Sequence, residues 1–293
     1  MFSKKKRNLM KLLCQLTSIV LIVMLLAGCG KKAASGSNIS DSKGKSDVTS
    51  QQDSKGKSDV ISQQTEKKDE SSQKKEQGKA SNASPATAGE SFSKYMDAKL
   101  ELVNKLADAL TNNPETTLSA LSFFGISMVD LALLPATFFG LGEASVAAGL
   151  GVIGAHDIKY SENGNQYKVT YNGSDGKKYE MLGEYDKAAD ALKCTSKIDN
   201  KEILFFEYRK TSYGYVSQIY TVNDDGTATL YQLTISENDG MVGISKASSA
   251  PPALTGSEKI DFPKQCQEWY AIEGDKVTGV ASGGKEISFV YTP

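Results

Sequence analysis

Gln166-Tyr167-Lys168-Val169-Thr170-Tyr171 alternates polar and apolar side chains without a break. A strand turns successive side chains to opposite faces, so period two is what a half-buried strand requires. Two later runs repeat the pattern. Tyr231, Leu233 and Ile235 alternate with Leu230, Gln232 and Thr234, and Ile287, Phe289 and Tyr291 alternate with Glu286, Ser288 and Val290. Between runs sit Asn163-Gly164, Asn172-Gly173, Asp175-Gly176, Asp225-Gly226 and Asp239-Gly240, dipeptides that accept the positive φ of tight hairpins. Residues 156–293 therefore predict roughly nine to eleven short strands in an antiparallel meander. Residues 249–264, with Pro251, Pro252 and Pro263, interrupt the series as an irregular excursion before the last strands.

Upstream the period changes. Phe92, Met96, Val103, Leu106 and Leu110 recur at helical spacing, and Lys94, Asp97, Lys99, Glu101 and Lys105 are assigned mostly to the other side, which predicts a helix over 93–112. Asn113-Pro114 closes it. The forty residues 116–155 carry only two charges, Asp130 and Glu143. Pro135 and several glycines divide them, so two or three short apolar helices are expected, with Ala147, Gly151 and Ala155 at a spacing that permits close packing. The uncharged runs of 14, 12 and 12 residues each fall short of a standard membrane span. A buried hairpin under the sheet, a membrane-dipping surface and a second span remain as destinations. Asp130 and Glu143 belong at helix ends facing water, since an unpaired buried carboxylate is costly.

The folded domain is thus assigned to 91–293 as α+β, with N-terminal apolar helices over 91–155 and a long antiparallel β-meander over 156–293 curving over them. Helices cupped by a curved sheet resemble the LolA/LppX-like lipoprotein fold, a likeness of architecture that rests on no motif. The forty residues of 116–155, with two charges, hold more apolar surface than one helical hairpin needs, and the surplus must be buried, inserted or filled, so an apolar or lipid ligand held between sheet and helices is expected. Phe138, Leu141, Leu150 and Ile153 are the candidate ligand contacts.

The N-terminus has three zones. Lys4, Lys5, Lys6, Arg7 and Lys11 form a basic stretch, residues 16–26 an apolar run too short for a comfortable span, and Leu26-Ala27-Gly28-Cys29 ends it. This resembles the lipobox of bacterial lipoproteins. The resemblance implies that 1–28 is a signal peptide, that Cys29 carries diacylglycerol, and that the chain is anchored at the extracytoplasmic face of a bacterial cell membrane. Without 1–28 the charged residues are 29 basic against 35 acidic, a net of −6 that disfavours nucleic acid. Residues 29–90 read as the lipidated Cys and a tether. From 30 to 90 there is no Phe, Trp or Tyr, and a twelve-residue unit at 41–52 recurs nearly unchanged at 53–64. Such a segment cannot bury enough apolar surface to offset the entropy of ordering it.

Few residues suggest chemistry. Cys194 and Cys266 either form a disulfide or stand as two separate buried thiols. One histidine and the remaining cysteines cannot build a zinc cage, and neither metal nor cofactor is expected. His156, Cys194 and Arg209 follow in the order found in sortases, which leaves a thiol-dependent transpeptidase-like enzyme as a remote alternative, though Ala191-Leu192-Lys193-Cys194 lacks the sortase threonines. Gly149, Gly151 and Gly154 spell GxGxxG but lack the strand–helix setting that nucleotide binding needs. Asn223-Asp224-Asp225-Gly226 lacks the flanking ligands of a calcium loop and reads as a hairpin turn. Tyr208, Tyr213, Tyr215, Tyr220 and Tyr231 are either cross-strand packing or a face for glycan or protein. No catalytic residue is assigned. The expectation is a membrane-anchored lipoprotein with a non-catalytic binding role, the alternative a protein- or glycan-interaction module using the Tyr-rich sheet.

Overall fold

The computed structural model describes residues 87–292 apart from 118, 224 and 238. The expected signal peptide, the expected lipidation site Cys29 and the expected tether up to residue 86 lie outside the described residues. Helix α1 (Ala88–Asn112) starts earlier than its apolar spacing predicts. Thr87 Oγ1 accepts from the Glu90 amide at 3.1 Å, and the Glu90 carboxylate accepts from the Thr87 amide at 3.3 Å. This reciprocal capping box satisfies two backbone donors that the first turn leaves open. Residues 88–90, assigned to the tether by composition, are therefore the first turn of the fold, with Ala88 and Gly89 buried and the Gly89 amide donating to Phe139 O at 2.8 Å.

A 3-10 turn (Ser119–Leu121) leads into α2 (Ser122–Leu133), a second 3-10 turn (Leu134–Phe138) carries Pro135 at its start, and α3 (Glu143–Gly151) follows. Eleven strands come next: β1 (His156–Asn163), β2 (Gln166–Asn172), β3 (Lys178–Asp186), β4 (Ala191–Ile198), β5 (Lys201–Lys210), β6 (Tyr215–Val222), β7 (Ala228–Ile235), β8 (Gly240–Ala247), β9 (Glu268–Glu273), β10 (Lys276–Val280) and β11 (Glu286–Val290). They form one sheet in sequential order, each antiparallel to its neighbour, so the protein is α+β with a long antiparallel meander.

Register sorts the side chains into two faces. Cys194, Phe206, Ile219, Tyr231 and Ile244 are successive cross-strand partners on the face toward the helices. Tyr95 of α1 stacks on Tyr208 with ring centroids 4.6 Å apart, and its hydroxyl donates to Ser217 at 2.8 Å. Phe92 meets Phe206 edge-on at 5.8 Å, and Phe123 of α2 meets Tyr270 at 5.5 Å. Phe139 stacks on Tyr167 at 4.9 Å, directly over Gly183, where any Cβ would lie 2.2 Å from the Phe139 ring.

The opposite row runs Lys193, Glu207, Gln218, Gln232, Gly243 and Trp269. A sheet burying one face would leave it wet. Instead Glu207, Gln218, Gln232, Thr234 and Met241 are all buried, because residues 248–267 fold back across β5–β8 as a strap. The irregular excursion is the cover of the second face.

Thr87→Ala should lower unfolding free energy by about 1 kcal/mol and Thr87→Gly by only a few tenths, read from urea midpoints. Equal loss from both substitutions would mean that the hydroxyl cap is not what fixes the start of α1.

Candidate functional site

The helical layer carries most of the predicted site, and the structure does not gather it. Leu150 is fully enclosed in the core, while Leu141 and Ile153 are 44% and 39% exposed. Phe138 is half-buried, with its ring laid on Gly149, where a Cβ would sit 2.0 Å away. Gly149 thus lets the turn before α3 close down. Gly149 and Gly151 lie in α3 and Gly154 has φ +81, so GxGxxG leads out of a helix into a strand, the reverse of the nucleotide-binding order. The signal that sequence reading missed lies one helix earlier. Leu121, Phe124 and Met128, spaced by three and four, are exposed on one side of α2, while Phe123, Ile126, Val129 and Leu133 are buried on the other.

The charges of this layer correct a second expectation. Glu143 does open α3 and faces water. Asp130 does not sit at a helix end. It lies inside α2 and is paired with Lys99 of α1, which is only 1% exposed. Burial raises the Asp130 carboxyl above its ordinary range, with the Lys99 ammonium opposing that shift. Lys99 follows Tyr95 by four and precedes Leu102 by three, so its place among buried positions was readable from spacing.

At the start of α1 the buried Ser91 hydroxyl donates to Asp190, which also accepts from Tyr185 at 3.1 Å, and Ser91 contacts the Tyr208 hydroxyl. Burial pushes Tyr185 up to about 12 and carries Tyr208 higher. Ser91 has no imidazole or amine beside it to take its proton, so the cluster acts as a hydrogen-bonded tie between α1 and the β3–β4 hairpin.

Nor does the structure assemble a thiol site. Cys194 and Cys266 are free and buried. Cys194 belongs to the row facing the helices, whereas Cys266 lies in the strap on the other side, its thiol donating to Gln232 Oε1 at 3.2 Å. A disulfide cannot join side chains on opposite faces of a sheet. Burial raises the Cys194 thiol far above its ordinary range, leaving it unreactive. His156 opens β1 in solvent against Asp157, and Arg209 lies beside Glu207 on the strap side, so the three residues in sortase order are apart. Among the described residues no group of His, Cys, Asp and Glu is placed to hold a metal.

Of the tyrosines, Tyr208 and Tyr231 are buried, Tyr208 stacks on Tyr95, and Tyr215 meets both rings edge-on. Tyr213 donates to Glu258 O at 3.0 Å, beside an open cleft of about 440 Å³ between residues 211–213 and 256–260. In the 223–226 turn, Asp225 accepts from the Thr227 amide at 2.9 Å and Gly226 has φ +82, while Asp224 lies outside the described residues.

Glu207 is the unforeseen polar centre. Its carboxylate, fully enclosed, accepts from the Leu254 amide at 2.9 Å and Gln218 Nε2 at 3.3 Å, with Arg209 Nε at 3.4 Å and Lys193 Nζ at 3.7 Å. Gln218 also donates to Pro252 O at 2.7 Å, Thr234 to Ile260 O at 2.6 Å and Gln265 to Gln232 at 3.0 Å. The strap is therefore held through its own backbone.

Glu207→Ala should cost about 1–3 kcal/mol, since it strands the Leu254 amide, and should open the strap locally. In timed alkylation read by mass spectrometry, Cys266 should then react well before Cys194, with Glu207→Gln intermediate. Equal slow reaction of both thiols would show that Glu207 does not hold the strap. For the charged pair, Lys99→Met alone should cost about 3–5 kcal/mol, while Lys99→Met with Asp130→Leu should recover most of the loss in urea unfolding. Additive losses would rule out an electrostatic origin. Compared with known protein families, with curated proteins and with solved structures, the chain matches none, so its function is argued from its own residues.

Proposed function

We propose that this chain is a lipoprotein, anchored by diacylglycerol on Cys29 at the extracytoplasmic face of a bacterial cell membrane, whose domain has a non-catalytic binding role toward an apolar partner. The anchor rests on the lipobox and its basic and apolar flanks. The binding role rests on one observation: the apolar helical layer leaves Leu121, Phe124, Met128, Leu141, Val152 and Ile153 exposed. Surplus apolar surface on an exported domain is a binding surface or a liability. Between α1 and β5–β6 the space is occupied by Phe92, Tyr95, Phe206 and Tyr208, which supports contact on the outward side of the helices rather than between the layers. A sheet curved over the helices, as the LolA/LppX-like likeness implies, belongs to the same proposal.

The test has two arms on the full chain expressed in a bacterium. Cys29→Ser should leave the precursor unlipidated and abolish incorporation of labelled fatty acid. A fluorescent fatty-acid analogue should bind the purified lipoprotein saturably and less well after Leu141→Asp with Ile153→Asp. Unchanged labelling of Cys29→Ser refutes the anchor, and absence of saturable binding refutes the apolar site.

A further inference from the structure

We propose that the exposed side of α2 is a second, non-covalent membrane contact, lying along the acyl-chain boundary of the bilayer that holds the Cys29 lipid. The inference rests on the lipoprotein reading above and names the partner of its apolar surface. Leu121, Phe124 and Met128 are 65%, 37% and 43% exposed. They belong to Ser119–Phe138, 20 residues whose most apolar stretch has mean hydropathy 1.7 and is only 39% buried. A helix apolar all round is ordinarily enclosed on every side. Here Phe123, Ile126, Val129 and Leu133 fix one side in the domain core, so the helix cannot cross a bilayer and can only lie along it.

The chemistry of the surface selects its occupant. Protein hot spots are rich in Trp, Tyr and Arg, and residues 116–155 contain none of these and no Lys. A bilayer interior asks only for apolar side chains without unpaired donors. With Glu143 as its one solvent-facing charge, the segment has no attraction for anionic headgroups, so neutral lipid suffices.

Position points the same way. Thr87, where the described chain begins, packs on Gly140, the neighbour of exposed Leu141. The chain leading back to Cys29 therefore enters the domain beside the helical layer. Fifty-seven residues separate Cys29 from Thr87, so α2 is tied to the membrane that carries the lipid and even a weak surface contact becomes an intramolecular one.

The experiment uses the full lipidated chain in phosphatidylcholine vesicles, with an environment-sensitive fluorophore at Leu121→Cys; Cys194 and Cys266 are enclosed and spared. A second protein carries the fluorophore at Ser257→Cys on the strap. The label at 121 should shift to the blue, be quenched by nitroxide lipids and be shielded from iodide, while the label at 257 does none of these. Adding Phe124→Asp and Met128→Asp should return the 121 label to water while the protein still floats with the vesicles. A floating protein whose 121 label stays open to iodide overturns the contact and leaves the lipoprotein reading standing. A label shielded from iodide but untouched by nitroxide lipids overturns it in favour of contact between copies. Failure to float overturns both readings.

Discussion

Side chains alternate along a strand, so wherever both sides of a strand are buried, as on β5–β8 here, two covers are needed, and a meander supplies no second sheet to provide either. This chain meets that constraint with two covers of different chemistry. Toward the helices the contact is apolar and aromatic: Phe92, Tyr95, Phe123 and Phe139 on one side, and Tyr167, Phe206, Tyr208 and Tyr270 on the other. Toward the strap it is polar, with Glu207, Gln218, Gln232 and Thr234 reaching backbone groups of residues 252–260 and the side chains of Gln265 and Cys266. An irregular segment has unpaired backbone donors and acceptors, so only a polar sheet face can hold it down.

The two covers also explain where ionisable groups are tolerated. Lys99, paired with Asp130, and Glu207, with its four donors, are the charges taken furthest from water, and each is met by a partner from another element. Partnering offsets desolvation without exceeding it by much, so such groups specify which surfaces meet more than they add stability. Lys99 sets α1 against α2, and Glu207 sets the strap against β5.

Much of this was legible in the chain. Period-two runs around 166–171, 230–235 and 286–291 fall on β2, β7 and β11, and the Asn-Gly and Asp-Gly dipeptides mark turns at Gly164, Gly176 and Gly226 with positive φ, whereas Gly173 and Gly240, expected to do the same, do not take it. The start of α1 was also written in Thr87-Ala88-Gly89-Glu90, but apolar spacing alone begins too late to find it. What could not be read needs register. That Cys194 and Cys266 face opposite ways, or that Glu207 lies under a strap, follows from which residue pairs with which across strands far apart in sequence. The four expected site residues shared an apolar segment, yet helical geometry sends Leu150 inward and Leu141 and Ile153 outward.

Sequential strand order has a consequence for how the chain becomes structured. Each strand of the meander pairs with the one before it, so each hairpin closes a short loop, and the sheet can grow in the direction of synthesis. Among the described strands the only wide gap is between β8 and β9, which the strap fills. Helix α1, the first of the described elements, is the exception: it meets the 119–138 segment nearby, but its sheet partners lie on β5–β9, roughly a hundred residues later or more. The part of its apolar side that faces the sheet must wait until half of the sheet exists. The long-range step of this fold is the docking of α1 on the sheet, and the interval before it is when the growing chain is most exposed to aggregation and proteolysis.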